Sequence, residues 1–485
     1  MRFHLITEPY TLDPALIRGS TGSYLLGNLF RGLYVLHSEK GLQPLGAKSC
    51  KWTTPTKLRC VLNPKHKWSD GTVIQSDHYM KAFYRLVDPK VKTVQWGLLK
   101  NVVNAKAIVE GQLPLEKLGI KAIDDKTLDF SLIQPDPEFI YNFIMPALSP
   151  VFGDQDYSPS QATKLITSGP YKIKSWKMGS KIELLPNEFY YEIQPRNSRP
   201  PIEIYFIEDD STALNLYDLG RLNFLRRVGV SDIPALKNKD DFIQIPMSRM
   251  DFLGFGPELN PYPNLRKAMA HSLNYEELKK LYHALGKPGC PSLLHKYYGN
   301  PICYDYDLKK AKQFLDKVDP KIKAKRWKLF YSKLGGESIK KGMEWIQSQW
   351  KHNLGLTVEL VPSEGATYFA QLNENPPALF RKGIGADRPT CRAGLEVFLP
   401  GHRENYINFN NNHYVTLVEK LNETAANNKS ICREAISVLM NAYAMIPMGE
   451  IHFSMRVRKN IKGLEINEMN QLNLDDLSIA PSTEL

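Results

Sequence analysis

Helical and strand periodicities follow one another within a few residues along this chain, and that restricts it to a layered α/β architecture. Ile339, Met343, Ile346 and Trp350 recur at spacings of four, three and four, one face of a helix that Gly355 stops. Leu356–Leu360 then alternates as a half-buried strand. Asp77 is placed to cap a helix through about Val87, with Met80, Phe83, Tyr84 and Val87 as its apolar stripe and Asp88-Pro89 as its stop. Asn274, with Glu277 three residues later, reads as a capping box opening a helix through about Leu285. Another helix, about Cys432 to Ala444, leads into Ile446-Pro447, and Met1–Leu5 reads as a strand. The 485 residues exceed one ordinary core and imply two or three domains. With no repeat and no low-complexity linker, those domains should connect by short crossovers.

Several function classes fall away on composition. No apolar run approaches the roughly 18 residues a membrane span needs. No leader peptide is visible at the start; a secreted chain would have lost it. Lysine and arginine outnumber the acids 63 to 51, a net +12, but they are spread along the chain without a long basic run, so no nucleic-acid partner is expected. A bias toward acidic ligands stays open. Cys50 and Cys60 are symmetric about the turn-like Thr53–Lys57, which would bring them together across a hairpin. Cys290 and Cys303 bracket a Pro/Gly-rich loop and can pair too, leaving Cys391 and Cys432 over. None of the six forms a CxxC, so structural zinc is not expected.

Catalytic signatures are absent as well. The chain has no GxSxG, HExxH, GxxxxGK[ST] or GxGxxG, and its histidines are scattered. Asp124-Asp125, Asp209-Asp210 and Asp240-Asp241 read as turn or helix-start pairs. Nothing in these residues assembles a nucleophile, base and oxyanion site, and no metal or cofactor is expected.

An ordered series of matches then points to one family. Glu8-Pro9-Tyr10-Thr11-Leu12-Asp13-Pro14 and Asn28–Leu33 open it. Lys67-Trp68-Ser69-Asp70-Gly71-Thr72 resembles a "KWSDGTP" signature, with Val73 in place of the usual proline. Arg85–Pro89, Leu118–Leu128, Ser168-Gly169-Pro170-Tyr171-Lys172, Leu265–Ala270 and Ile446-Pro447-Met448 follow. Together they resemble the family 5 extracellular solute-binding proteins, nearest to their oligopeptide-binding branch.

The resemblance implies a mixed α/β fold of the two-lobed periplasmic-binding-protein type (class II, cluster C) with an extra inserted domain. On that pattern residues 1–35, 156–245 and 456–485 form domain I, 36–155 the inserted domain II, and 246–455 domain III, the opposite lobe. The implied function is an extracytoplasmic receptor, periplasmic or lipid-anchored through a cysteine upstream of Met1. It would act as a monomer, hold a short peptide in an interlobe cleft and pass it to the permease subunits of an ABC importer. Strand addition would satisfy the peptide's main chain and leave its sequence free.

Asp387, in Lys382–Pro389, matches the family's anchor for the ligand α-ammonium. Gly383, Ile384, Gly385 and Ala386 match the strand that pairs with peptide; Arg18, Gly19 and Ser20 match the segment facing it. Arg381 matches a basic pocket residue, while Arg388 and Glu450 stand where the family carries tyrosines. Arg226 and Arg227 replace acidic and polar residues, and with Arg18, Arg381, Arg388 and Arg392 they suggest a taste for acidic peptides. The alternative is the same fold with another ligand: a cell-wall peptide, an opine, haem or a nickel chelate.

Overall fold

Phe3 and Leu5 are fully buried because the opening strand, Arg2–Leu5, lies inside a sheet, parallel to Ile202–Phe206 on one side and Phe224–Leu225 on the other. The computed structural model describes residues 1–17, 20–93, 95–190, 199–281, 286, 288–291, 302–333, 336–386, 388–423 and 428–480. It divides into two units. The first holds Met1–Gly229, Ala235–Ile245 and Ser454–Leu485; the second holds Val230–Pro234 and Pro246–Phe453. Strands Phe242–Phe255 and Met445–Val457 each begin in one unit and end in the other, the short crossovers that a chain without linkers requires.

In the first unit the sheet continues from Ile202–Phe206 to Lys181–Pro186 and Tyr171–Lys177, both antiparallel. A second, four-stranded sheet runs in the order Ala47–Thr54, Lys57–Leu62, Thr127–Ser131, Ile120–Asp124. It has its own core, in which Leu58, Cys60, Leu128 and Phe130 meet Tyr79, Phe83 and Leu86 of the helix Ser76–Val87. That helix starts earlier than its sequence suggested. Gln75, not Asp77, is the N-cap, because His78 reaches back and its Nδ1 accepts from the Gln75 N–H at 3.0 Å.

The signature stretches hold this unit together. Trp68 is fully buried, and Lys67–Thr72 closes on itself, with Gly71 at φ +90°. The Ser69 and Thr167 segments exchange hydrogen bonds, Ser69 N–H to the Thr167 carbonyl at 2.8 Å and Thr167 N–H to Ser69 Oγ at 3.0 Å. Gly169 must be glycine, since a Cβ there would lie 2.5 Å from the Asn28 carbonyl oxygen.

His66 sits at the same junction, fully buried, its Nε2 3.1 Å from the Ser168 carbonyl. Burial pushes its imidazole down to about 4. The folded state therefore holds it neutral while an unfolded chain protonates it near pH 6.5, so stability is present above that value and is lost as pH falls toward 4. The full loss from this residue is roughly 3 kcal/mol. Urea unfolding at pH 7 and pH 4.5 should show it, and His66→Asn should flatten the difference; an equally steep fall in the variant would contradict the assignment.

In the second unit the sheet order is Thr357–Ser363, Arg326–Ser332, Leu379–Gly385, Phe242–Phe255, Met445–Val457. The helix predicted around Ile339–Trp350 spans Gly336–Leu354 and ends at Gly355, φ +68°. Its Trp350 Nε1 donates to the Met269 carbonyl at 3.1 Å, tying it to the helix Pro263–His271. Asn274 and Glu277 form their cap on Tyr275–Leu281; the expected extension to Leu285 lies outside the described residues. The last predicted helix spans Lys429–Asn441, ending ahead of Ala444 because Tyr443 turns left-handed, φ 49°.

All six cysteines are paired. Cys50–Cys60 bridges directly opposed positions of a hairpin, and Cys290–Cys303 closes its loop. Cys391 and Cys432, expected to be left over, form a third bridge. Helix Cys391–Leu395 packs on Lys429–Asn441, a meeting that nothing local announces.

Candidate ligand-binding strand

Leu379–Gly385 is two strands in one. Leu379 and Phe380 are fully buried and pair on both sides, with Leu329 and Phe330 in parallel and with Gly254 and Phe255 antiparallel. Beyond Phe380 only the antiparallel partner continues, through Leu253↔Arg381, Asp251↔Gly383 and Arg249↔Gly385. Among the described residues no strand pairs with the other edge of residues 381–385.

The Tyr368 hydroxyl donates to the Arg381 carbonyl, whereas the Ala386 N–H, five residues on, turns to the antiparallel partner at Ser248. In an antiparallel strand the N–H and C=O of one residue point the same way and alternate with the next. The backbone groups of Gly383 and Gly385 therefore share the direction of the Arg381 carbonyl, toward the open edge. Ile384 is buried in the core. The two glycines make room on their side of the sheet for the side chains paired with them: a Cβ on Gly383 would lie 2.7 Å from Asp251 Oδ1, and one on Gly385 3.1 Å from Arg249 Cγ.

The strand is held at its charged positions by the protein itself. Arg381 forms a salt bridge with the buried Asp251. Burial lowers the Lys382 ammonium, whose Nζ lies 5.1 Å from the Phe369 ring centre. The Ala386 N–H donates to the Ser248 carbonyl at 3.0 Å. Buried Arg388 is matched to Glu396, and Arg392 Nε lies 3.7 Å from the same carboxylate. Thr390 Oγ1 caps the helix that follows, accepting from the Ala393 N–H at 3.3 Å.

The other expected residues are distributed as follows. Asp387, Arg18 and Gly19 lie outside the described residues. Ser20 begins the helix Ser20–Leu29 of the first unit. Arg226, also in the first unit, is buried with its guanidinium 4.6 Å from the Tyr24 ring centre; burial drives the Tyr24 hydroxyl up to about 12. Glu450 is in the second unit on Met445–Val457, its Oε2 3.0 Å from His452 Nε2 and its carbonyl accepting from the Gly286 N–H at 2.8 Å. So the structure brings Arg381, Gly383, Ile384, Gly385 and Ala386 into one line and sets Arg388 just beyond it.

The arginines behind the acidic-peptide reading have partners within the protein. Arg227 pairs with Asp210 at 2.8 Å, and Arg381, Arg388 and Arg392 with Asp251 and Glu396. Four of the six arginines already face the protein's own carboxylates. The sequence reading passed over Asp251, Tyr368 and Glu396. Only Asp251 gave a signal, as an acid inside the apolar run Met250–Phe255.

Comparison with known proteins adds the following. The model of the bacterial extracellular solute-binding proteins, family 5 (middle region), matches residues 41–406. The probable deoxycholate-binding periplasmic protein YgiS of Escherichia coli is 25% identical over 92% of this chain and 87% of its own length. The periplasmic murein peptide-binding protein MppA of the same organism is 25% identical over 96% and 90%, and the oligopeptide-binding protein OppA of Bacillus subtilis 24% over 82% and 77%. Among solved structures, the unliganded open form of MppA superimposes with a TM-score of 0.87 at 22% identity, covering 99% of this chain and 97% of that one. Peptide-bound OppA of Listeria monocytogenes superimposes at 0.70 and 20%, covering 100% and 99%. These likenesses establish the mixed α/β periplasmic-binding fold.

Proposed function

The chain belongs to the family 5 bacterial extracellular solute-binding proteins, and from that premise we propose that it is a peptide receptor rather than an enzyme. It binds a short oligopeptide outside the cytoplasm and delivers it to the permease of an ABC importer. The observation that carries this reading is the open edge of residues 381–385, where Gly383 and Gly385 offer backbone N–H and C=O groups with no strand against them. An extended peptide has unmet amides of its own, and adding it as a strand satisfies both sets while leaving its side chains free to vary. Asp387 stands two residues past Gly385 and holds the ligand's α-ammonium. Arg18, Gly19 and Ser20 contribute to the site as well, and residues 36–155 form an inserted domain around their own core. Three disulfides agree with an oxidising compartment.

Native mass spectrometry of the purified protein tests this first, since a retained peptide would appear as added mass. A retained bile acid, opine or metal chelate would overturn the peptide reading. Because most of the arginines are internally paired, tri-glutamate and tri-lysine should bind within about tenfold of each other in calorimetry. A hundredfold preference for tri-glutamate would reinstate the acidic specificity. A second reading, a cell-wall peptide, is favoured by the likeness to MppA, named for murein peptide, over 96% of this chain; competition between a murein tripeptide and tri-alanine separates the two.

A further inference from the structure

Although the basic residues are spread along the chain without a long basic run, one segment is richer in them than it is in acids. Residues 305–328 carry eight lysines and one arginine against four aspartates, so these 24 residues hold +5 of the chain's net +12. They build the helix Leu308–Asp316, the turn Pro320–Lys323 and the start of the strand Arg326–Ser332. The apolar side of that helix, Ala311 with Leu315, is turned to the core of the second unit, which leaves Lys309 and Lys312 to solvent.

The local acids do little to neutralise the surface. Asp307 and Asp319 serve as helix caps, accepting from the Lys310 N–H at 2.9 Å and the Lys321 N–H at 2.7 Å. Asp305 takes His271 and Lys310, and Lys325 goes to Glu258. Six exposed cations, Lys309, Lys312, Lys317, Lys321, Arg326 and Lys328, stand in no salt bridge among the described residues. Crowding like charges works against the compact state, so stability does not explain the cluster.

We infer that the lysine-rich surface of residues 305–328 docks this receptor onto an anionic phospholipid surface. The choice of partner follows from the residue types. Lysine is depleted from protein–protein interfaces, where arginine and aromatic residues dominate. A lysine is a hydrated, mobile point charge, suited to a fluid array of anionic headgroups rather than to fixed forks. Clusters of four to eight basic residues at a membrane surface act in this way. A receptor that must meet an importer in the bilayer gains from a search in two dimensions. Nothing in this depends on which ligand the receptor carries.

Cosedimentation with vesicles tests it, using phosphatidylcholine alone and phosphatidylcholine with about one-third phosphatidylglycerol. The protein should bind the second kind at low salt and release at high salt. A quadruple variant, Lys309→Gln, Lys312→Gln, Lys317→Gln and Lys321→Gln, should lose at least about tenfold in affinity. The matching change at Lys48, Lys51, Lys57 and Lys121 on the four-stranded sheet should leave it within about twofold. Equal losses in both variants would reduce the effect to bulk charge, and indifference to phosphatidylglycerol would remove it; either overturns the proposal. So would a patch variant that keeps its vesicle affinity but no longer binds immobilised polyglutamate, because the partner would then be an acidic protein. Thermal melts confirm folding, and tripeptide calorimetry on the same variants separates failure here from failure of the peptide reading.

Discussion

Acetylating the α-amine of tri-alanine is expected to weaken its binding by at least about a hundredfold, and Asp387→Ala should have a similar effect on the free tripeptide. The reason is electrostatic. An ammonium taken out of water without a partner costs several kcal/mol, and removing one member of a buried ion pair typically costs 3–5 kcal/mol. The surroundings favour a firm anchor: the Ala386 N–H is fixed on the Ser248 carbonyl, and Arg388 is engaged by Glu396. If Asp387 and the ligand amine are the two halves of one interaction, the losses will not add. Acetyl-tri-alanine should then bind Asp387→Ala about as well as tri-alanine does. Calorimetry of the four combinations gives the coupling directly. A coupling within error of zero, or undiminished binding of the acetylated peptide, would remove Asp387 from the site and with it the polarity proposed for the ligand.

Local pattern made much of this fold legible. The helix ended by Gly355, the strand after it and the Cys50–Cys60 bridge all follow from residues close to one another in the sequence. The signature stretches were legible as markers, but not for what they do, which is to pin the His66–Ser69 and Thr167–Ser168 segments together. What escaped the sequence is what depends on distant partners. Asp251 lies 130 residues from Arg381, and counting arginines could not show that this carboxylate, with Glu396 and Asp210, already claims four of them. The cap at Gln75 was hidden by chemistry: a histidine closing a box backwards fits no usual cap pattern, and the better-looking Asp77 drew the boundary. In the candidate site the strand over Gly383–Gly385 was read only through the family resemblance. Its open edge was not legible, because that depends on where Arg326–Ser332 stops pairing.

The bridge that the sequence left unmade should matter most for stability. Cys391 and Cys432 are 41 residues apart, both are fully buried, and they join Cys391–Leu395 to Lys429–Asn441 inside the core of the second unit. Closing a loop of that length in the unfolded chain corresponds to about 4 kcal/mol on the chain-entropy model. Cys50–Cys60 spans only 10 residues across an existing hairpin, where the same model gives about 3 kcal/mol and the sheet already holds the strands. Replacing Cys391 and Cys432 together by alanine should therefore lower the melting temperature by roughly 10 °C, and more than the Cys50→Ala, Cys60→Ala pair does. Burial also sets accessibility, since exchange requires a thiolate to reach a sulfur. Mild reductant on the native protein should open Cys50–Cys60, whose Cys50 is partly exposed, before Cys391–Cys432. Thiol trapping followed by peptide mapping gives the order. Should the buried bridge open first, or the Cys391→Ala, Cys432→Ala protein melt with the wild type, this crosslink would not be what stabilises the second unit, and its helices would be held by packing alone.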